Sequence, residues 1–155
     1  MTPLLPGQAG LELRPCLRIR VIYGDTDQMR VVYHATFLRY MEQGRVELMR
    51  SLGLRYADME AGGHALPVSE LAVRYLSPGR YDDLVTVLVG VSHLGRARVN
   101  FSYRLTVEPG DREGAGRSLT LLEAETRHVC VDLSSSRPAR LPSPVYETLA
   151  SCYTA

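Results

Sequence analysis

Apolar and polar residues alternate along several parts of the chain and recur with helical spacing in one part. Residues 17–23 alternate with a period of two, which predicts a strand. From about His34 to Leu52 the apolar positions recur every three or four residues, which predicts an amphipathic helix that ends near Gly53. The start of the chain therefore predicts a strand, a connecting loop and one long helix.

The rest of the sequence predicts strands joined by short polar segments. Four segments are rich in strand-forming residues: 66–76, 84–91, 97–107 and 118–133. Polar segments between and after them predict loops at 54–65, 108–116 and 134–138, and residues 144–153 predict a short terminal helix. The alternation is clearest in 97–107, where one face should be buried and the other in water. Consecutive strands with short connections favour an antiparallel sheet covered by the single long helix, an α+β fold.

Two details of the long helix bear on what packs around it. Gly44 lies inside it and costs about 0.5–1 kcal/mol relative to Ala, which is most easily explained if a sheet approaches closely there. No strong N-cap residue precedes the helix, although Thr36 can cap a later start. Its first N–H groups are then available either to a substrate carbonyl or to water and a neighbouring loop.

The charges of the chain are nearly balanced and include no lysine. The 18 basic residues, all of them Arg, and the 17 acidic residues leave a net charge of +1. No overall field therefore favours nucleic acid or an anionic membrane as the partner. Without lysine, Schiff-base catalysis and the phosphate-binding lysine of a P-loop are excluded.

Cysteine and histidine spacing predicts neither a disulfide framework nor a metal site. Cys16, Cys130 and Cys152 are far apart and odd in number, which fits a reducing cytoplasm. The histidines lack the spacing of metal ligands, so we expect no metal. Residues 1–15 have no basic start and are expected to be a flexible lead-in rather than a signal peptide. No stretch approaches about 18 apolar residues, so no membrane span is expected.

An acidic loop, Gly-Asp-Thr-Asp, connects the first strand to the long helix. Asp25 and Asp27 therefore lie at a strand-to-helix junction. A helix N-terminus can hold a carbonyl oxygen that develops negative charge while a nearby carboxylate attacks or directs water. Aspartates in such loops also serve as turn or capping residues, so spacing alone does not choose between catalysis and structure.

The residues from Tyr23 to Glu42 resemble the signature of hotdog-fold acyl-CoA thioesterases, in the 4-hydroxybenzoyl-CoA thioesterase and YbgC-like family. That signature is roughly Tyr-x-Asp-Thr-Asp-x-x-Gly-Val-Val-Tyr-His followed by an aromatic-rich helix, and residues 67–84 are similar to a second block of the family. The resemblance covers about residues 17–133. It implies a single hotdog domain over 1–155, with an antiparallel five-stranded sheet wrapped around one long central helix and residues 134–155 as a C-terminal extension.

The resemblance also implies how the site works. Asp27 matches the catalytic carboxylate, as nucleophile or as general base, and leaves Asp25 as a structural neighbour. His34 is expected to contribute its backbone N–H to an oxyanion hole. The implied substrate is an acyl-CoA, hydrolysed without a metal or any cofactor, since coenzyme A is part of the substrate. The nature of the acyl group stays open.

Further residues are assigned by their positions in the resemblance. Tyr33, Ser69 and Arg96 are expected to bind substrate, with Arg96 the best candidate for the phosphates of coenzyme A among three arginines that include Arg98 and Arg140. Glu42 is expected to lie next to the residues that contact substrate without contacting it itself. Because one sheet with one helix leaves an open face or edge, we expect a homodimer or homotetramer with shared sites.

Arg30 departs from the motif, which usually has Gly there. If the loop needs a positive φ, an arginine is strained by about 1–2 kcal/mol. Arg30 is therefore expected to bind or position substrate, or to pair with Asp27. Two alternatives to a thioesterase remain at this point: a non-catalytic acyl-CoA-binding hotdog domain, and an acyl-CoA hydratase or dehydratase. The second is disfavoured because such enzymes typically have His five residues after the Asp, where this chain has Val32.

Overall fold

The computed structural model describes residues 10–153. Its five-stranded sheet is formed, in chain order, by β1 (Arg14–Arg20), β3 (Val68–Tyr75), β4 (Leu84–Leu94), β5 (Arg98–Val107) and β6 (Leu119–Val129). A small three-stranded sheet contains β2 (His64–Ala65), β7 (Val131–Asp132) and β8 (Arg137–Pro138). The helices are α1 (Thr36–Ser51), α2 (Tyr56–Ala61) and α3 (Ser143–Ala150).

The large sheet is antiparallel throughout and has the strand order β1-β4-β5-β6-β3. The strands wrap around α1, which packs mainly against β1 and β4. Strand β5 contributes a row of fully buried residues to the core, Val99, Phe101, Tyr103, Leu105 and Val107. The predicted antiparallel five-stranded sheet around one long helix is therefore confirmed.

Gly44 marks the point where α1 and the sheet come closest. A Cβ added there would lie 2.5 Å from Cγ1 of Val87 and 3.2 Å from Cγ2 of Val89. Both valines belong to β4 and are fully buried. The close approach expected from a glycine inside the helix is confirmed.

Several sequence-based expectations need correction. The segment 54–65, predicted as a loop, contains α2 and β2, and the predicted loop 134–138 contains β8. The predicted strand 118–133 is interrupted at Cys130 and continues as β7 in the other sheet. The predicted strand 17–23 starts earlier and ends at Arg20, because the chain turns into a single 3-10 turn at Tyr23–Asp25.

The outward face of β5 is not simply in water, as the alternation suggested. Ser102 and Thr106 are buried on that face. The Thr106 hydroxyl donates a hydrogen bond to Glu108 at 2.8 Å, and Ser102 lies beside Gly90, where the Glu12 carbonyl oxygen approaches to 2.5 Å of an added Cβ. The chain before β1 therefore covers part of the outer face.

The ends of the chain agree in part with their predictions. Strand β1 begins at Arg14, so Arg14 and Pro15 belong to the sheet rather than to the lead-in expected at 1–15, and residues 1–9 lie outside the described residues. The terminal helix is confirmed as α3. Within residues 10–153, none of the helices is long and apolar enough to cross a membrane.

Candidate active site

Asp25 anchors the acidic loop to the long helix. Its carboxylate is buried and accepts hydrogen bonds from the Ile22 N–H at 3.1 Å and the Tyr40 hydroxyl at 2.7 Å. Burial first, and then the bond and charge of Asp25, raise the pKa of Tyr40 above its ordinary value, so Tyr40 stays a donor. The Asp25 carbonyl also accepts the Tyr33 N–H at 2.9 Å. Asp25 therefore holds the loop in place, and its carboxylate is used for structural hydrogen bonds.

The loop closes tightly around Asp27. The Asp27 N–H donates to Val31 at 3.0 Å, the Arg30 N–H donates to the Asp27 carbonyl at 2.9 Å, and a bridge joins Thr26 to Val32. Arg30 has a φ of 62°, so the conformation that favours glycine is present in spite of the arginine. The Arg30 side chain is exposed, and no carboxylate of the described residues lies within 4.0 Å of it, Asp27 included.

The Asp27 carboxylate faces a cleft and keeps capacity to accept further hydrogen bonds. Its Oδ1 accepts the Met29 N–H at 2.8 Å, whereas Oδ2 has no partner among residues 10–153. The cleft has a volume of about 360 Å³ and lies between the loop, the start of α1 and the turn after β3. Its walls are Asp27, Met29, Val31, Val32, His34, Phe37, Tyr75, Leu76, Ser77, Pro78 and Gly79.

Two backbone N–H groups just before α1 are unpaired among the described residues, and one of them belongs to His34, a residue of the cleft wall. In the run of residues 32–36, the N–H groups of Val32, Tyr33 and Thr36 bind Gly79, Asp25 and Tyr33 respectively. Those of His34 and Ala35 have no hydrogen-bond partner in the described part of the chain. No side chain caps the helix, so Thr36 is its first residue rather than its cap. Such N–H groups can hold an oxygen that develops negative charge.

The turn after β3 completes the cleft. The Gly79 carbonyl accepts the Val32 N–H at 2.8 Å, and an added Cβ at Gly79 would come within 2.9 Å of Val32 and 3.1 Å of the Phe37 ring. This close contact needs a residue without a side chain. The second block of the sequence resemblance therefore packs directly on the first.

Two of the other predicted residues stand near the cleft. The His34 ring is exposed, packs against the Tyr33 ring at a centroid distance of 4.4 Å and an interplanar angle of 54°, and makes no hydrogen bond within the described residues. Tyr33 itself is exposed beside it.

The remaining predicted residues lie apart from Asp27 in this chain. The Ser69 hydroxyl, on β3, donates to the Arg127 carbonyl at 3.0 Å. Arg96, between β4 and β5, lines a separate cleft of about 360 Å³ together with Arg140 and Tyr146. Glu42 is exposed on α1. The structure thus brings Asp27 and His34 together and keeps Ser69, Arg96 and Glu42 elsewhere on the subunit.

The cleft also contains a residue that the sequence did not single out. Tyr75, the last residue of β3, donates its hydroxyl to the His34 carbonyl at 2.8 Å, and its ring lies 6.1 Å from that of Phe37. The available signal was its place just before the Ser-Pro-Gly turn. Among the described residues, no group of three or more His, Cys, Asp or Glu side chains is arranged to hold a metal ion.

Comparison with known proteins adds relatives of matching sequence and structure. The profile of the thioesterase-like superfamily matches residues 21–149. The acyl-CoA thioesterase YbgC of Haemophilus influenzae is 34% identical over 128 residues, 82% of this chain and 88% of the relative. The crystal structure of TT1821 from Thermus thermophilus has a TM-score of 0.79 and 34% identity, and covers 90% of this chain and 100% of that one. DHNA-CoA thioesterase from Staphylococcus aureus has a TM-score of 0.77 and 28% identity over 87% of each chain. This chain belongs to the thioesterase-like superfamily.

Proposed function

We propose that the protein hydrolyses acyl-CoA thioesters, with Asp27 as the catalytic carboxylate. One observation carries the assignment: Asp27 and His34, whose backbone N–H has no partner among residues 10–153, line the same cleft. A thioester carbonyl needs both, a base or nucleophile at its carbon and donors at its oxygen. The family membership and the acyl-CoA thioesterase among its relatives support the same chemistry.

The free Oδ2 of Asp27 supports two routes. As a general base, it takes a proton from water while the water oxygen bonds to the thioester carbon. As a nucleophile, it forms a mixed anhydride and expels the thiolate, and water then cleaves the anhydride. In both routes the negative charge that develops on the carbonyl oxygen is held by the N–H groups before α1. Because a thiol has a pKa of about 8.5, the thiolate of coenzyme A leaves without needing a strong acid.

A single turnover in ¹⁸O-labelled water tests the nucleophilic route. Direct attack by water, or attack by water on the acyl carbonyl of an anhydride, labels only the released acid. Attack by water on the aspartyl carbonyl of an anhydride leaves one labelled oxygen on Asp27, which mass spectrometry of the digested protein detects.

Substrate contacts outside the cleft are assigned by charge and exposure. We assign Arg96 to the phosphates of coenzyme A, since it lines a polar cleft with Arg140 and both are exposed. Arg30 is exposed in the loop that carries Asp27, has no carboxylate of residues 10–153 within 4.0 Å, and is assigned to the same acidic substrate. Tyr33 is assigned to substrate binding next to His34.

Ser69, Arg96 and Glu42 do not line the Asp27 cleft of their own chain, so they would contribute to an Asp27 site from a second subunit, which is one reason to propose a homo-oligomer. A second reason is strand β3, at the edge of the large sheet. Its residues Val68 and Leu71 are exposed, at 50% and 41%. An unpaired edge with apolar side chains favours association with another copy. We therefore propose a homodimer or a homotetramer with sites shared between subunits.

Replacement of Asp27 by Asn tests the catalytic assignment. The change keeps the size of the side chain but removes its basicity and nucleophilicity, so kcat on the best acyl-CoA should fall by about 100-fold or more. Hydrolysis is followed by the appearance of free thiol. The matched control is Asp25→Asn, which should lower the unfolding temperature, because Asp25 holds Ile22 and Tyr40. Asp27→Asn protein that retains activity within about threefold of wild type, a barrier change under ~1 kcal/mol, contradicts the assignment.

Light scattering at micromolar concentration tests the oligomer. We expect a mass of at least twice the 17.2 kDa of one chain. The variant Leu71→Arg, which places charge on the exposed edge, should shift the protein toward monomer and reduce activity together. An active monomer of 17.2 kDa would rule out shared sites.

A further inference from the structure

A cleft of about 280 Å³ lies between the turn that follows β3 and the loop that connects β5 to β6. We call it the arginine cleft, because Arg80, Arg112 and Arg117 line it together with one acidic residue, Glu113. The Arg112 guanidinium is used for structure, since it binds the buried Asp83 carboxylate at 2.7 and 2.9 Å. The Arg80 N–H donates to the same carboxylate at 2.7 Å, which holds the backbone that carries its side chain.

The side chains of Arg80 and Arg117 are exposed and have no partner in the described part of the chain. Neither guanidinium makes a hydrogen bond or has a carboxylate within 4.0 Å among residues 10–153. The aspartates closest to Arg80 and Arg112 in sequence are paired with other arginines: Asp82 with Arg20, Asp83 with Arg112, and Asp111 with Arg18. With Arg112 offset by Asp83, the two free guanidinium groups outnumber Glu113, so the charge of the arginine cleft favours an anion.

The loop at the edge of the arginine cleft allows a ligand to come close to its backbone. Gly114 and Gly116 line the cleft, and a Cβ added at either would meet nothing within 4 Å. Their N–H groups have no hydrogen-bond partner within residues 10–153. Glycine at such positions permits the close approach of a ligand to the chain.

The arginine cleft and the Asp27 cleft share one turn as a wall. Pro78 and Gly79 line the Asp27 cleft, and Arg80, the next residue, lines the arginine cleft. Arg112 connects the two, because its guanidinium donates a hydrogen bond to the Pro78 carbonyl at 2.8 Å. A molecule that occupies both clefts therefore has only this turn to cross.

We propose that the arginine cleft binds the diphosphate of coenzyme A through Arg80 and Arg117 while the thioester of the same molecule lies in the Asp27 cleft. The inference rests on the proposed thioesterase function. Guanidinium groups bind phosphate oxygens through paired, charge-assisted hydrogen bonds. The diphosphate is nearer to the thioester than the 3′-phosphate is, which fits a cleft one turn away from the Asp27 cleft. Because coenzyme A carries both groups, this contact and the one assigned to Arg96 use different phosphates.

Calorimetric titration with coenzyme A, which is not turned over, tests the site. Arg80→Gln and Arg117→Gln should each weaken binding by about three- to tenfold, because each removes one charged partner of the diphosphate. Glu113→Gln should strengthen binding by about twofold, since it removes a negative charge from the cleft. The control is Arg137→Gln, on β8, which replaces an exposed arginine that also lacks a carboxylate within 4.0 Å among the described residues and should bind like wild type.

Ligands with fewer phosphates separate recognition of the diphosphate from a change in the shape of the cleft. Dephospho-coenzyme A keeps the diphosphate and lacks the 3′-phosphate, so Arg80→Gln should weaken its binding as much as that of coenzyme A. Pantetheine lacks both groups and should bind equally to wild type and Arg80→Gln. With acyl-CoA as substrate, Arg80→Gln should raise KM by about three- to tenfold and keep kcat within about twofold, because the diphosphate takes no part in the bond changes.

Several results would overturn the inference. Wild-type protein that does not bind coenzyme A, or Arg80→Gln and Arg117→Gln proteins that bind it as tightly as wild type, exclude the site. An equal loss of affinity for pantetheine would show a change in shape, and an unchanged affinity for dephospho-coenzyme A would assign the cleft to the 3′-phosphate. A loss confined to inorganic phosphate would show that the cleft takes the free anion.

The failure of this site and the failure of the proposed function give different results. If the wild-type protein hydrolyses acyl-CoA but the arginine variants bind coenzyme A normally, the site is wrong and the thioesterase assignment stands. If the wild-type protein binds coenzyme A through Arg80 and Arg117 but hydrolyses no acyl-CoA, the proposed function fails and the site stands.

Discussion

His128 is a buried imidazole beside a buried arginine, and acidification should destabilise the protein through it. The side chain of His128 is 1% exposed. Its Nδ1 lies 2.8 Å from the Leu66 carbonyl, and its Nε2 lies 2.8 Å from the Thr126 hydroxyl and 3.3 Å from Nη1 of Arg45. Arg45 is itself buried, and among residues 10–153 no carboxylate lies within 4.0 Å of its guanidinium.

The contacts of His128 select its neutral form. A carbonyl oxygen can only accept, so Nδ1 carries the proton toward Leu66 and Nε2 is left as an acceptor facing Arg45. Protonation at Nε2 would place a second positive charge against the guanidinium, away from water. Burial first, and then the charge of Arg45, lower the pKa of His128 from 6.5 to about 4.

The pH dependence of the unfolding free energy follows from the difference between the pKa of His128 in the folded and in the unfolded protein. The unfolded chain binds a proton at His128 below pH 6.5, whereas the folded protein does so only near pH 4. The group therefore contributes stability above pH 6.5, and this contribution is lost as the pH falls toward 4. Between pH 7.5 and 4.5 the expected loss is roughly 2–3 kcal/mol, at about 1.4 kcal/mol for each pKa unit.

Urea unfolding of wild-type and His128→Gln protein across this pH range measures the effect. Glutamine can still donate to Leu66 and accept from Arg45 but does not titrate, so subtracting its pH profile removes the contribution of all other groups. The unfolding free energy of the wild-type protein minus that of His128→Gln should fall by about 2–3 kcal/mol from pH 7.5 to 4.5. A difference that stays constant within about 0.5 kcal/mol would show that His128 titrates alike in both states.

Two further predictions concern the backbone. Gly44→Ala should destabilise the protein by about 1–3 kcal/mol in urea, since the new methyl meets Val87 at 2.5 Å and overpacking outweighs the gain of about 1 kcal/mol in helix propensity. The double variant Gly44→Ala/Val87→Ala should lose less stability than the sum of the two single losses, because the smaller residue 87 leaves room for the new methyl. A stabilised Gly44→Ala protein contradicts the close approach. Arg30→Gly should raise stability by about 0.5–1 kcal/mol, because it relieves the φ of 62° at some cost in unfolded-chain entropy. Arg30→Ala removes the guanidinium but keeps the Cβ, so it should not stabilise; equal gains from both substitutions would refute the strain argument.

The long periodic elements could be predicted from the sequence, and the short ones could not. Helix α1 has enough turns for its apolar stripe to be recognised, and it begins at Thr36, two residues after the position expected. Helix α2 has six residues and only one buried residue, Met59, so no period can emerge from it. Strand β8 has two residues and includes a proline, which marks loops in most sequences.

Candidate site residues divide by how local their contacts are. Asp25 and Asp27 sit two residues apart in one loop, and only the resemblance distinguished them beforehand; in the structure, Asp25 is occupied by Tyr40 and Asp27 faces the cleft. Tyr75 could not be found this way, because its bond to His34 depends on where β3 ends relative to α1. Ser69 lies at a register shift in the pairing of β3 with β6, between Val68 and Glu70. Such an irregularity is not visible in an alternating sequence pattern, so the position of the Ser69 side chain could not be predicted.

The buried contacts of Asp25 help to hold the loop in the conformation that strains the backbone at Arg30. A loop that carries a left-handed arginine would relax if its ends were free, since the exposed guanidinium makes no ion pair or hydrogen bond with residues 10–153 in return. The ends are held: Asp25 binds Ile22 on one side and Tyr40 of α1 on the other, and Val32 binds Gly79. The anchoring contacts are buried or backbone bonds, each worth about 0.5–1.5 kcal/mol or more, so together they exceed the cost of one strained residue. The position of the Asp27 carboxylate is therefore set by Asp25 and Gly79 rather than by the residue at position 30, which leaves that position open to a side chain that contacts substrate.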